Sequence, residues 1–168
     1  MRLKLFFIFI LFYFSISLKE WKSYNAPSGP LLEGISAGLF ADGVESYVGR
    51  GTVSGQLAPG TLLIVDSVNR TAALYMEYGG KEYNLTSNVH YFAKSSNCNY
   101  IWVASSGKLV VPNAIAYKAS GFTFYVGRIF YQVLNAWYVG KIPLELGLLY
   151  YAKGKTISTY EVLVCQRR

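Results

Sequence analysis

His90 is the only histidine in this 168-residue chain, and so the only side chain whose ordinary proton equilibrium lies near neutral pH. A Ser-His-Asp or Cys-His arrangement would have to be built on it, and no supporting motif accompanies it. No Gly-x-Ser-x-Gly turn occurs. Gly154-Lys155-Thr156 matches the end of a phosphate loop, but the required first glycine falls at Leu149. His90, Cys98 and Cys165 do not have the spacing of a zinc site. Nine acidic residues are present, and no motif pairs any two of them. The expectation is a protein without catalytic residues, metal or cofactor.

The chemistry that remains is oxidative and covalent, and it depends on compartment. Arg2 and Lys4 precede an apolar stretch from Leu5 to Leu18, with small residues at Ser15 and Ser17. That pattern reads as a cleaved secretory signal over residues 1–18. Its 14 residues fall short of the roughly 20 that span a bilayer, so no stable membrane insertion is expected. The mature chain is then secreted and extracellular. There Cys98 and Cys165 form an even pair available for a disulfide, with two buried thiols as the alternative. Asn69-Arg70-Thr71 and Asn84-Leu85-Thr86 are N-glycosylation sequons, which mark Asn69 and Asn84 as candidate glycan-bearing positions of a glycoprotein. The formal charge is +7, or +5 without Arg2 and Lys4. The basic residues are scattered rather than aligned in a stripe, so no nucleic-acid partner is expected.

These residues sit on a duplicated scaffold. Ala26–Arg50 aligns without a gap to Ala104–Arg128 at an offset of 78, with 10 of 25 pairs identical. Unrelated stretches of such composition would share roughly two. Fifteen Tyr, ten Phe and sixteen Gly favour strands interrupted by turns. Short runs such as Thr61–Asp66, Leu74–Tyr78, Asn99–Ala104, Thr123–Phe130 and Glu161–Val164 read as strands. Pro59-Gly60, Gly79-Gly80, Ser106-Gly107 and Ser120-Gly121 read as turns. The expected fold is all-β: an antiparallel sandwich or barrel-like domain of two pseudo-twofold repeats, 19–97 and 98–168. A repeat of about 75 residues buries too little surface to stand alone, so one shared core is expected. Gly49 and Gly127, inside strands, predict bulges or close backbone approach. Arg50 and Arg128, identical in both copies, predict a shared scaffold contact. Trp21, Trp102 and Trp137 read as core rather than as sugar platforms.

The second copy runs Trp102-Val103-Ala104-Ser105-Ser106-Gly107, Pro112-Asn113-Ala114-Ile115, Phe124-Tyr125-Val126-Gly127-Arg128, Gly140-Lys141-Ile142 and Tyr160-Glu161-Val162-Leu163-Val164. The first carries Asp42-Gly43, Tyr47-Val48-Gly49-Arg50, Pro59-Gly60 and Tyr78-Gly79-Gly80-Lys81-Glu82 in the same order. This succession, from about Trp21 to Gln166, resembles the tandem DM-nine repeat family, which also provides the N-terminal module of natterin-like proteins. The resemblance implies a lectin-like, mannose-binding pattern-recognition or adhesion protein of innate immunity. In such proteins a turn-borne Asp and a Lys hold sugar hydroxyls through charge-assisted hydrogen bonds. Carried over, the positions are Asp42 and Thr61 in the first copy, Ser120 and Lys141 in the second. Each copy therefore keeps half of the pair. Cell-surface glycans are the expected partners, and self-association would supply avidity. The alternative is a secreted interaction or structural protein that keeps the scaffold without the sugar site.

Overall fold

The computed structural model describes residues 20–25, 31, 33–66, 71–108 and 111–168. The expected signal segment and Asn69 lie outside these residues. The first repeat supplies β1 (Trp21–Ser23), β2 (Ser36–Leu39), β3 (Glu45–Val53), β4 (Gln56–Ile64), β5 (Ala72–Tyr78), β6 (Lys81–Leu85) and β7 (His90–Phe92). The second supplies β8 (Cys98–Ser106), β9 (Ala116–Ala119), β10 (Phe122–Tyr131), β11 (Ala136–Pro143), β12 (Leu149–Tyr151), β13 (Lys155–Ile157) and β14 (Thr159–Arg167). Each set forms its own antiparallel seven-stranded sheet. The orders are β1-β7-β3-β4-β5-β6 with β2 on β3, and β13-β12-β11-β10-β14-β8 with β9 on β10. The all-β reading holds.

Side chains alternate across each strand, and both faces of these sheets are used. On β3, Tyr47 and Val53 join Leu62, Leu74 and Met76 in a core made by the first repeat. Tyr125, Tyr138, Ile142 and Leu149 form its counterpart in the second. Val48, on the opposite face of β3, enters a third cluster that both repeats share, with Trp21, Ile35 and Phe92 facing Ile115, Val126, Val139 and Leu163. Burying each such aliphatic side chain stabilises by roughly 1.5–3 kcal/mol. A lone repeat would leave that third cluster in water, so the repeats close on one another.

Glycines recur where neighbours come too close for a side chain. A Cβ at Gly49 would lie 2.7 Å from Leu74 Cδ1, and one at Gly127 would lie 2.4 Å from Ile142 Cδ1. Those nearest atoms are side-chain methyls; the backbone comes less close, the His90 carbonyl oxygen at 3.3 Å from a Cβ at Gly49 and that of Glu161 at 3.1 Å from one at Gly127. At Gly60 and Gly140 the obstacle is backbone: a Cβ would fall 2.3 Å from the Tyr75 carbonyl oxygen and 2.0 Å from that of Tyr150.

Two details differ from the sequence reading. Pro59-Gly60 is not a turn but the middle of β4, where Pro59 pairs with Arg50 and Gly60 with Gly49. Proline fits because the β4–β5 ladder begins one residue later, at Gly60 and Met76. The ungapped repeat also breaks. The Val48 amide donates to Ile35 O and the Val126 amide to Ile115 O, an offset of 80 rather than 78. A register shift between Ser36 and Gly38 in β2 and one further residue, Ala41, between Phe40 and Asp42 absorb the difference.

Candidate functional site

Strand pairing shows which positions of the two copies are equivalent. Val48 pairs with Thr61 and Val126 with Lys141, so Thr61 and Lys141 occupy the same place in β4 and β11. Asp42 and Ser120 also match: both are left-handed, at φ 61° and 51°, and both precede a glycine of positive φ. Aspartate tolerates this conformation better than most residues.

The four residues have different surroundings. Thr61 is fully buried, and its hydroxyl oxygen accepts from the Val139 amide of the other repeat at 2.8 Å. The Ser120 hydroxyl donates to Gln56 Oε1, again across the repeats. Asp42 is exposed in the 3-10 turn Ala41–Gly43. That turn is pinned by Phe40, which stacks on Tyr75 and meets Tyr138 edge-on, with centroids 5.9 and 5.1 Å apart. Lys141 reaches into the first repeat. Its ammonium lies 3.1 Å from Glu77 Oε2, donates to the Glu77 carbonyl at 3.4 Å, and stands 5.0 Å from the centre of the Tyr78 ring.

The carboxylate held by Lys141 is therefore that of Glu77, and no ion pair or hydrogen bond joins Asp42 to Lys141 among the described residues. Glu77 is 2 % exposed. Its Oε1 accepts from the Gly80 amide at 2.7 Å, which fixes the β5–β6 hairpin. Burial, with the Glu77 charge adding to it, holds the Tyr117 hydroxyl well above its ordinary pKa and keeps it protonated. Sequence reasoning passed over Glu77. The signal was a single carboxylate at the end of the apolar run Ala72-Ala73-Leu74-Tyr75-Met76-Glu77, where a charge needs a buried partner.

A second equivalence concerns the arginines. Arg50 lies over Trp21 at 4.6 Å, and Arg128 over Trp102 at 4.5 Å. The shared scaffold contact is this guanidinium–indole pair, with an attraction typical of cation–π geometry. Arg128 is further enclosed by Trp137 at 4.0 Å. Its Nε donates to Glu161 Oε2 at 2.6 Å, and its Nη1 donates to Ala37 O of the other repeat at 2.9 Å. On the Arg50 side His90 stands at the matching place, since Arg50 pairs with His90 and Arg128 with Glu161. Burial, and then the Arg50 charge, hold the His90 imidazole below its ordinary pKa.

Cys98 and Cys165 are joined by a disulfide, with Cα atoms 5.2 Å apart, tying β8 to β14. Asn84 lies exposed on β6. No group of three or more metal-ligating side chains occurs among the described residues.

Two curled sheets sharing a core, with polar contacts reaching across from each, define a tandem-repeat β protein. Residues 41–159 match the model of the DM9 repeat, and the chain belongs to the DM9 repeat family. Its fold is similar to the crystal structure of the nematode sperm cell motility protein MFP2B, at a TM-score of 0.65 and 14% identity over 92% of this chain. The chain spans 48% of the length of that protein's chain. A comparison with curated proteins gave no match.

Proposed function

We propose that this chain is a secreted, non-catalytic carbohydrate-binding protein that takes mannose-type glycans at the junction of its repeats. The observation that carries the reading is Lys141. The second repeat has Ser120 where a carboxylate would complete the pair, and Glu77 of the first repeat supplies that carboxylate instead. An ammonium fixed by a buried carboxylate can donate to sugar oxygens without first being ordered. The Tyr78 ring beside it offers an apolar face for a pyranose. In this reading the partners are mannose-type glycans on cell surfaces, met in defence or adhesion.

A glycan array tests this with wild type, Lys141→Gln and Asp42→Ala, each checked for folding by near-UV circular dichroism. Mannose-type binding lost in folded Lys141→Gln and kept in Asp42→Ala is expected. Loss in Asp42→Ala alone would move the site to the Ala41–Gly43 turn. No binding by wild type would overturn the sugar reading.

A second reading, a protein-interaction role, is favoured by one surface. The two-residue turn Ser54–Gly55 of the first repeat is replaced in the second by Gln132–Asn135. This longer turn exposes Val133 at 79 % and Leu134 at 41 %. The partly exposed Phe130 extends the patch to Trp137, whose ring packs at 5.4 Å on it. Exposed apolar surface of this kind suits a protein partner.

A further inference from the structure

The geometry points to an anion site at Arg50 and His90, shaped for a carboxylate-bearing ligand and distinct from the Lys141 position. The second repeat shows what such a guanidinium binds. There Arg128 is held by Glu161, Ala37 O and two indoles. In the first repeat two of these partners differ. His90 stands in place of Glu161. Leu57 stands in place of Trp137, because Thr52 pairs with Leu57 as Phe130 pairs with Trp137. Arg50 Nε and His90 Nδ1 are both buried without a hydrogen-bond partner.

An unpaired buried donor of a charged group is costly, and one carboxylate group supplies what Arg50 lacks. Its two oxygens match the guanidinium fork. The imidazole, which the second repeat's Glu161 could never offer, adds a donor or an acceptor according to its tautomer. Ser23 and Thr52, beside these residues, are exposed, and Ser23 pairs directly with His90 on the same face. Arg50 and His90 are themselves half-buried. The Ser23 hydroxyl stands where the second repeat has Ala104, giving the first repeat one more polar group for a ligand. The second repeat thus carries its anion internally, and the first has His90 at the equivalent place.

His90 is the only histidine, so in untagged protein its Cε1–H resonance reports on this place alone. Acetate and glucuronate are titrated at constant ionic strength, with chloride as the control for screening. A saturable displacement of that resonance by either carboxylate, absent with chloride, is expected. Arg50→Lys should weaken it about tenfold or more, because the bidentate fork is lost. Equal affinities for the two acids would show that the carboxylate alone is read; tighter glucuronate would identify an acidic sugar. His90→Glu should supply an internal carboxylate, as Glu161 does, and abolish the rise in Tm that either acid gives the wild type. A resonance unmoved by both acids, or a His90→Glu protein still stabilised by them, would overturn the proposal. Neither readout depends on mannose binding or on Lys141.

Discussion

Thr61 and Lys141 occupy one position in two copies, and each crosses the junction by different chemistry. Thr61 takes a backbone amide with its hydroxyl; Lys141 takes a carboxylate with its ammonium. Glu77 depends on that ammonium, because a carboxylate 2 % exposed pays heavily for an unpaired charge. Lys141→Met should therefore destabilise the protein by about 3 kcal/mol or more, read from urea denaturation. A loss well under 1 kcal/mol would mean that the pair is held as loosely as a surface bridge. His90 gives a pH prediction. Its folded pKa is depressed below 6.5, so the unfolded chain binds more protons between the two values. Stability should then fall as pH drops from about 6.5 towards the folded pKa and change no further on this account below it. The difference in Tm between wild type and His90→Gln, followed from pH 7.5 to 5, isolates this effect from the carboxylates. A constant difference would contradict it. At this scale the sequence showed Asp42, Thr61, Ser120 and Lys141 as matched positions. It could not show Glu77 meeting Lys141, since 64 residues separate them and only strand packing brings them together.

At the scale of elements, the duplicated glycines explain why β3–β4 and β10–β11 repeat so faithfully. Gly140 faces the Tyr150 carbonyl, where a Cβ would sit 2.0 Å from oxygen, and backbone cannot swing aside as a long side chain does. Gly140→Ala should force β12 from β11 and cost about 3 kcal/mol; an unchanged urea midpoint would show that β12 yields freely. Most strands were legible because β-branched and aromatic residues alternate between Gly-rich turns. Pro59-Gly60 misled for a physical reason. The dipeptide that favours a turn is equally suited to a strand position with no ladder N–H to donate and no room for a side chain. The bulge near Ala37 was equally hidden, because ten identities fit an ungapped alignment while hydrogen bonds obey the strand ladder.

For the whole molecule, the third core draws on both repeats, and the Cys98–Cys165 link closes a 67-residue separation within the second. Reducing that link should lower stability by about 4 kcal/mol in the chain-entropy model, measured by denaturation with and without reductant. Pseudo-twofold architecture was readable from the repeat, but the departures from symmetry were not. Glu77, His90 and the Gln132–Asn135 turn each occur in one copy only, and those places carry the candidate chemistry. The most direct test of this account is a titration of the ¹⁵N-labelled mature chain with mannose, followed by amide resonances. The account predicts saturable shifts at Glu77, Tyr78 and Lys141, drawn from both repeats at once. Shifts confined to the Asp42 turn, or no shifts at saturating mannose, would contradict it.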